Sequence, residues 1–218
     1  MVFIFDMDGV IVDNAVWHLE AFAEFGKRHG LVRTKKEYTK YFGNTNQTIM
    51  NSLFNTILSD DKLSALAKEK EIIYRKLYKP LIQPVDGLPV FLKNASDKGI
   101  PIALATSAPL ENVDFTLEAT GLKKYFSIIS DASMVKHGKP DPEIYLLTAA
   151  KLGVQPTDCI VFEDSIAGIQ SALSAGMRVI GVATTHKPEE LLTYVKEIIM
   201  NFDASDMLIQ NLLHLPIQ

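Results

Sequence analysis

An unbroken apolar run that ends in two acidic residues constrains the fold of this chain more than any other feature. Residues 2–5 are Val, Phe, Ile and Phe, a pattern typical of a fully buried strand in a parallel sheet. The run leads into Asp6, Asp8 and Gly9 in the pattern D-x-D-G. Because close carboxylates repel each other, we expect a partner that neutralises them. Mg²⁺ suits this position, since it prefers one or two carboxylates together with water and phosphate oxygens.

Two other interpretations of this stretch stay open at this point. A polar turn after a strand has the same residue types and needs no function. An EF-hand calcium loop fits less well, because it needs an entering helix and a Glu at its twelfth position. Trp17 stands there if Asp6 is taken as the first position.

The composition is that of an ordinary globular protein. Of its 218 residues, 47% are apolar and 22% are charged, which is enough for the core of one large or two small domains. The formal net charge of -4 argues against nucleic acid or an anionic membrane as the main partner. Without a basic leader or an apolar stretch of bilayer length, we expect neither a signal peptide nor a membrane span.

The single cysteine, Cys159, lies in an apolar run, and we expect it in the core. One cysteine allows no intramolecular disulfide, so a reducing cytoplasm is the expected location. We further expect the chain to act as a monomer.

Residues 14–79 show helical periodicity and predict an all-helical insert. Apolar residues recur at helical spacing in three segments: Trp17, Leu19, Phe22 and Phe25; Ile49, Leu53 and Ile57; and residues 63–78. The insert would form one domain, and residues 1–13 with residues 80–218 would form the other.

Beyond Pro80, strand and helix patterns alternate. The predicted strands are residues 102–105, 126–130, 159–162, 179–182 and, more weakly, 198–200. The predicted helices begin after Gly87, at Pro109, at Pro142 with Asp141 as N-cap, after Ser165, and at Asp206. This alternation predicts βαβ units with right-handed crossovers, and therefore an α/β fold with a mostly parallel sheet between helices.

Polar residues follow the predicted strands at the edge where an open α/β sheet binds its ligands. They are Asp6 and Asp8 after the first strand, Thr106 and Ser107 after the second, Lys139 in the loop beyond the third, and Glu163 and Asp164 after the fourth. Each has a simpler explanation, as a helix cap, a solvated lysine or acids that complement a helix dipole. Their joint occurrence at one edge favours a site for a phosphate and a metal ion.

These residue types suit phosphoryl transfer. Asp6 could attack phosphorus and form an aspartyl phosphate, while Asp8 protonates the leaving oxygen and later deprotonates water. Lys139 would offset charge on the transferring group, and Thr106 would add donors at a helix N-terminus. The expected ligands of Mg²⁺ are Asp6, Glu163, Asp164 and the backbone carbonyl of Asp8.

Four motifs make the chain resemble the haloacid dehalogenase-like superfamily, in the branch of β-phosphoglucomutases and sugar-phosphate phosphatases. They are DMDGV at residues 6–10, LATSA at 104–108, GKPDPEIY at 138–145 and VFEDSIAGIQSALSAGM at 161–177. The resemblance covers essentially the whole chain. It implies a Rossmann-like core with a small helical cap, and Mg²⁺ as cofactor. It also implies Asp6 as nucleophile, Asp8 as acid/base, and Thr106 and Lys139 as phosphate binders.

The resemblance extends to residues expected to bind the substrate. Gly9 and Ser107 belong to the matched motifs, and His18 and Lys70 match the hinge pair with which the mutases position their acid/base. Asn46 lies in the cap loop, where this chain lacks the Arg that grips phosphate in the mutases. Neutral donors there give weaker bonds than an Arg would, which favours hydrolysis over mutase action.

We therefore expect a Mg²⁺-dependent phosphatase of small phosphorylated metabolites, with sugar phosphates foremost, and a β-phosphoglucomutase-type mutase as the alternative. In the superfamily's dehalogenases the second Asp of the first motif is typically missing, so Asp8 favours phosphoryl transfer. A signalling receiver also places acids, Ser/Thr and Lys at strand ends, but it has no helical insert. A dinucleotide-binding module would carry G-x-G-x-x-G after the first strand, and this sequence does not.

Overall fold

The structure, a computed structural model, describes residues 1–31, 33–42 and 44–214. The strands in these ranges are β1 Val2–Phe5, β2 Ile102–Ala105, β3 Ile128–Ser130, β4 Cys159–Glu163, β5 Arg178–Val182 and β6 Glu197–Ile199. They form one parallel sheet in the order β3-β2-β1-β4-β5-β6. The predicted α/β fold is confirmed, and the first strand lies in the centre of the sheet.

α-Helices lie between the strands and after the last strand of the described chain. Between β1 and β2 lie α1 Ala15–Arg28, α2 Lys35–Tyr38, α3 Asn46–Phe54, α4 Asp60–Tyr78 and α5 Leu88–Asp97. After β2 come α6 Leu110–Thr120, α7 Glu143–Leu152, α8 Ile166–Ser174, α9 Pro188–Leu191 and α10 Met207–His214. In the described ranges, no helix combines the length and the apolar character that crossing a bilayer requires.

β1 is buried on both faces of the sheet, as its apolar run predicts. Phe5 points to one face, where it stacks on Phe162 of β4 with ring centroids 4.6 Å apart. Ile4 points to the other face and packs in a second cluster with Val161, because successive side chains of a strand alternate between faces. Full burial of such side chains stabilises the fold by about 1.5–3 kcal/mol each. This double burial fixes the end of β1 and thus the acidic residues that follow.

The helical insert, residues 14–79, packs around its two long helices. Trp17 of α1 stacks on Tyr78 of α4 with ring centroids 5.9 Å apart. The backbone N–H of Val85 donates to the carbonyl of Ile11 over 2.9 Å, so the chain returns from the insert beside the point where it left. The insert therefore covers the carboxyl edge of the sheet without separating β1 from β2. Its standing as a separate domain stays a prediction.

Several predicted helix boundaries are wrong, and α6 and α10 each begin one residue after the predicted Pro109 and Asp206. Ile57 lies beyond the end of α3 and is 92% exposed, because Asn55 adopts the left-handed conformation, with φ at 51°, and ends the helix. α7 begins at Glu143 and not at Pro142. Here Asp141 Oδ1 accepts a 3.0 Å hydrogen bond from the Glu143 N–H, so the turn that Asp141 caps lies just before the helix.

Some short elements also differ from the predictions, and helix α9 is one that the sequence did not predict. β3 begins at Ile128 and β6 covers Glu197–Ile199, so each is shifted or shortened at the edge of the sheet. Helix α2 has no long apolar period and was not predicted. Its signal was the capping box formed by Thr34 and Glu37, in which Glu37 Oε2 accepts a 2.7 Å hydrogen bond from the Thr34 N–H.

Candidate active site

A cleft lies between the carboxyl edge of the sheet and the helical insert. From the core it is lined by Asp6, Asp8, Gly9, Thr106, Ser107, Lys139 and Asp164, and from the insert by Asn14, His18, Asn44, Asn46 and Lys70. The structure therefore brings the residues predicted from separate motifs to one place.

Asp6 is the first residue after β1 and is held by the sheet itself. Its backbone N–H donates to the Phe162 carbonyl over 3.0 Å, which extends the pairing of β1 with β4 by one residue. Burial raises the pKa of Asp6 to about 7, and the nearby Glu163 and Asp8 carboxylates raise it too, while Lys139 opposes the shift. Among these charged neighbours, Lys139 is thus the one that favours the ionised form of Asp6.

Lys139 reaches the same point from the loop after β3. Its Nζ donates to Asp6 Oδ1 at 2.8 Å, to Glu163 Oε1 at 2.5 Å and to the Ala105 carbonyl at 3.4 Å. Burial alone would lower the pKa of Lys139, but the Asp6 and Glu163 carboxylates hold it well above the usual value. The side chain is therefore a fixed cation at the end of the sheet.

Glu163 uses both oxygens within the protein. Oε1 accepts from Lys139 and, at 2.9 Å, from the Tyr145 hydroxyl, while Oε2 accepts from the backbone N–H and the hydroxyl of Ser165, both at 3.0 Å. Helix α8 passes so close that a Cβ at Gly168 would lie 1.7 Å from Glu163 Oε1. These contacts fix the side chain that in turn holds Lys139.

Carboxylate oxygens of Asp6, Glu163 and Asp164 lie within 4.8 Å of one another. Burial raises the pKa of Asp164 well above its usual value, and the charges of Glu163 and Asp6 add to the shift. A Cβ at Gly9 would lie 1.9 Å from Asp164 Oδ2, so only glycine lets the loop after β1 pass this carboxylate. Lys139 alone cannot balance these acids, and their hard oxygen donors fit a divalent cation such as Mg²⁺.

Asp8 turns its side chain away from this cluster and towards the insert. Asn14 Nδ2 donates to Asp8 Oδ1 at 2.6 Å, and His18 Nε2 lies 3.6 Å from Asp8 Oδ2. Burial alone would raise the pKa of Asp8, but the contacts with His18 and Asn14 and the charge of Lys70 outweigh it and lower the pKa. The carboxylate of Asp8 is thus not part of the cluster that Asp6, Glu163 and Asp164 form.

The predicted hinge pair is adjacent in the structure. Lys70 Nζ lies 3.4 Å from His18 Nδ1 and 2.6 Å from Glu71 Oε1. An ammonium group can only donate, so His18 Nδ1 accepts and Nε2 carries the ring proton that faces Asp8. Tyr74 stacks on the His18 ring with centroids 3.9 Å apart and accepts a 2.7 Å hydrogen bond from Asn14. These contacts define one orientation of the imidazole.

Thr106 and Ser107 follow β2 and lead into α6. The Thr106 backbone N–H donates to the Ser130 carbonyl at 3.0 Å, and its hydroxyl accepts from the Ala108 N–H at 3.1 Å. A hydroxyl that accepts such a bond keeps its own proton for donation. The turn therefore presents hydrogen-bond donors to the cleft just before a helix N-terminus.

The insert contributes neutral polar groups to the cleft. Asn46 lies in the first turn of α3, and Asn44 precedes it, whereas Gln47 lies in a wider groove outside. The cations that line the cleft within the described ranges, Lys70 and Lys139, are each already paired with a carboxylate. Neutral groups thus face the part of the cleft away from Asp6.

The insert also touches the core on the side opposite the hinge. A Cβ at Gly138 would lie 2.4 Å from Thr45 Cγ2, so the residue before Lys139 fits directly against the N-cap of α3. Thr45 keeps its place because its hydroxyl accepts a 3.4 Å hydrogen bond from the Thr48 N–H. The insert and the core are therefore in close contact at this point.

Sequence reasoning missed several residues that shape the site. Asn14, Glu71, Asn112 and Tyr145 are buried and bond to predicted site residues or to each other. Asn14 had a signal, since it directly follows the acidic loop. For Glu71 and Asn112 no local pattern exists, because the contact joins two helices that are far apart in the chain.

Known proteins that are similar to this chain belong to one family of hydrolases or share its fold. The model of a family described as haloacid dehalogenase-like hydrolase matches residues 3–182. A phosphorylated carbohydrates phosphatase of Thermotoga maritima is 32% identical over 212 residues, covering 90% of this chain and 98% of that protein. A fructose-1-phosphate phosphatase of Escherichia coli is 36% identical over 180 residues, covering 82% and 94%. The crystal structure of a β-phosphoglucomutase of Clostridium difficile matches with a TM-score of 0.85 at 28% identity, covering 98% and 96%.

Proposed function

Because the chain belongs to the haloacid dehalogenase-like hydrolase family and is an enzyme that hydrolyses phosphate esters, we propose that it acts on sugar phosphates through an aspartyl phosphate at Asp6, with Mg²⁺ as cofactor. The observation that carries the proposal is the divergence of Asp6 and Asp8. Asp6 faces Lys139, while Asp8 faces Asn14 and His18. Two neighbouring carboxylates with different partners are suited to different roles.

In the first half of the reaction, an oxygen of Asp6 attacks phosphorus and the bond from phosphorus to the sugar oxygen breaks. Asp8 gives its proton to that oxygen, so the sugar leaves as a neutral alcohol. The pKa of Asp8 is lowered in the free protein. A bound phosphate dianion raises the pKa of a neighbouring carboxyl group, so Asp8 takes up its proton together with the substrate.

In the second half, Asp8 removes a proton from water, and the water oxygen attacks phosphorus. The bond between phosphorus and the Asp6 oxygen breaks, and inorganic phosphate leaves. Lys139 and the donors of Thr106 and Ser107 bind the equatorial phosphate oxygens in both halves, where fixed donors act most strongly on developing charge.

Asp6, Asp164 and the backbone carbonyl of Asp8 would hold the metal ion, with Glu163 beside them. When bound, Mg²⁺ offsets the repulsion between these carboxylates and the phosphate. Glu163 contributes in a second way, since it fixes the ammonium group of Lys139 through its 2.5 Å hydrogen bond.

Hydrolysis is favoured over mutase action by the charges of the cleft. A mutase must hold the second phosphate of a bisphosphate, which calls for a cation that is not already committed. Lys70 and Lys139 are paired, and Lys40 lies outside the cleft, with its Nζ 5.0 Å from the centre of the Tyr41 ring. The amides of Asn44 and Asn46 suit the hydroxyl groups of one sugar.

The contact between His18 and Lys70 favours the alternative hypothesis, a mutase. His18 and Lys70 lie 3.4 Å apart, in the arrangement expected of the mutase hinge pair. A β-phosphoglucomutase of known structure also shares the fold over most of both chains. It therefore stands as the second candidate.

The decisive experiment is a product analysis. The protein is incubated with Mg²⁺ and a panel of sugar phosphates, including fructose 1-phosphate and β-glucose 1-phosphate with a trace of glucose 1,6-bisphosphate. Steady release of inorganic phosphate from a monophosphate supports hydrolysis. Rapid formation of glucose 6-phosphate with little free phosphate identifies the mutase instead. Release of no phosphate and no isomer from any compound in the panel contradicts both.

A further inference from the structure

Asn112 joins the core to the insert at a buried point in the wall of the cleft. It lies in the first turn of α6 and is 1% exposed. Its Nδ2 donates to Glu71 Oε2 at 2.8 Å, and its Oδ1 accepts from an Arg75 nitrogen at 2.5 Å. One core side chain thus bridges two residues on successive turns of α4. The same helix α6 begins where the turn that carries Thr106 ends.

Glu71 connects Asn112 with Lys70 and, through Lys70, with the side chains next to Asp8. Its other oxygen, Oε1, lies 2.6 Å from Lys70 Nζ, and Lys70 Nζ lies 3.4 Å from His18 Nδ1. His18 Nε2 then lies 3.6 Å from Asp8 Oδ2. A continuous series of polar contacts therefore leads from α6 of the core to α4 and α1 of the insert. It ends at Asp8 in the core, the carboxylate that is proposed to act as acid.

We propose that Asn112 is a positioning residue, which holds Asp8 in place for proton transfer through Glu71, Lys70 and His18 when the insert is closed. This inference rests on the proposed function, in whose mechanism Asn112 has no part. Asn112 lines the cleft but acts through other side chains, not on the reacting atoms.

Geometry shows why this position needs an amide. The Asn112 side chain offers a donor to Glu71 and an acceptor to Arg75 at once, and an amide is the small side chain with both. Without the donor, the buried Glu71 Oε2 loses its partner, and Arg75, four residues further on the same helix, attracts the carboxylate instead. The Lys70 ammonium group then moves together with the Glu71 carboxylate. As a result, the His18 ring loses the contact that orients its proton towards Asp8.

The role can be tested through the leaving group. A sugar oxygen needs a proton to leave, whereas p-nitrophenolate leaves without one, and kcat/KM reports only the steps up to that departure. For Asn112→Ala we expect kcat/KM to fall about 10- to 100-fold with fructose 1-phosphate and less than about 3-fold with p-nitrophenyl phosphate. Glu118→Ala, an exposed change on the same helix, should leave both values unchanged.

The ratio of the two substrates keeps the test valid if the variant is unstable, because a loss of folded protein lowers both values equally. Asn112→Asp gives a second measurement, since it keeps the acceptor for Arg75 and removes the donor to Glu71, and we expect the same selective loss. An equal loss with both substrates, or none with fructose 1-phosphate, overturns the positioning role. If the parent protein hydrolyses neither compound, it is the proposed function that fails.

Discussion

Lys139 donates a 2.8 Å hydrogen bond to Asp6 Oδ1, so the carboxylate proposed to attack phosphorus lies against a buried ammonium group. The contact fixes one oxygen of the nucleophile and offsets part of the charge that burial makes costly. Removing the one partner and removing the other should therefore have different consequences.

Asp6→Asn should lower turnover by about a thousandfold or more, because an amide of nearly the same shape cannot form the aspartyl phosphate. Initial rates of phosphate release, with thermal unfolding to verify the fold, measure the change. Asp13→Asn, an exposed acid in the same loop, is the matched control and should retain the parental rate. Retention of a tenth of the activity in Asp6→Asn contradicts covalent catalysis.

Lys139→Ala should destabilise the protein as well as inactivate it. The substitution leaves the buried Asp6 and Glu163 carboxylates without their shared cation, and loss of one partner of a buried pair costs about 3–5 kcal/mol. Urea unfolding in the presence of EDTA measures this cost. Lys136→Ala, an exposed change three residues earlier, should have almost no effect. Equal stability of the two variants would show that other groups neutralise the carboxylates.

Removal of divalent metal should abolish turnover, and Mg²⁺ should restore it. Binding measured without catalysis gives an independent test, since an ion that binds only the folded protein raises its melting temperature. We expect Mg²⁺ to raise the Tm of the parent protein and to leave that of Asp164→Asn nearly unchanged, because Asp164 belongs to the carboxylate cluster. Full activity in a metal-free preparation is incompatible with this site.

Glu71 should make the stability of the protein depend on acidic pH. Burial would raise its pKa, but the charge of Lys70 and the hydrogen bonds from Lys70 and Asn112 outweigh burial and lower it from the ordinary 4.5. A lowered pKa stabilises the fold fully above the unfolded value, and that contribution is lost as the pH falls through the folded value. In Glu71→Gln, the free energy of unfolding should therefore fall less between pH 6 and pH 4 than in the parent. An identical fall in both proteins would remove Glu71 as the cause.

Gly138→Ala should hinder closure of the insert, because the added methyl group would meet Thr45 Cγ2 at 2.4 Å. Overpacking of this kind costs about 1–3 kcal/mol, so we expect kcat/KM to fall about tenfold. Thr45→Ser removes that methyl group and keeps the hydroxyl that caps α3, so it should restore activity to Gly138→Ala. Thr45→Ser alone serves as the control. Failure of the serine to restore kcat/KM would place the effect of Gly138 elsewhere.

The core of the site could be predicted because each of its parts has a local signal. Asp6, Thr106 and Glu163 each directly follow an apolar run, and parallel topology brings the carboxyl ends of such runs to one edge. The direction of Asp8 could not be predicted in this way. Its side chain follows partners from the insert, and these depend on how α1 packs over the sheet.

The contact between Glu71 and Asn112 had no signal in the sequence at all. It joins residues 41 apart, on two helices whose own periodicity says nothing about their crossing angle. The end of α3 shows a related difficulty. Ile57 continues the apolar spacing, but the left-handed Asn55 had already ended the helix, and periodicity does not detect backbone conformation.

The bond between Asp6 and Lys139 spans 133 residues of chain. During synthesis, Asp6 therefore leaves the ribosome long before its cation is made, and in refolding the two must find each other across a large loop. Before Lys139 is made, β1 can pair with β2 but not with β4, so any such early pairing forms while Asp6 lacks its cation. The Asp6–Lys139 bond thus closes one of the long loops of the chain, and it can form only after Lys139 has been made.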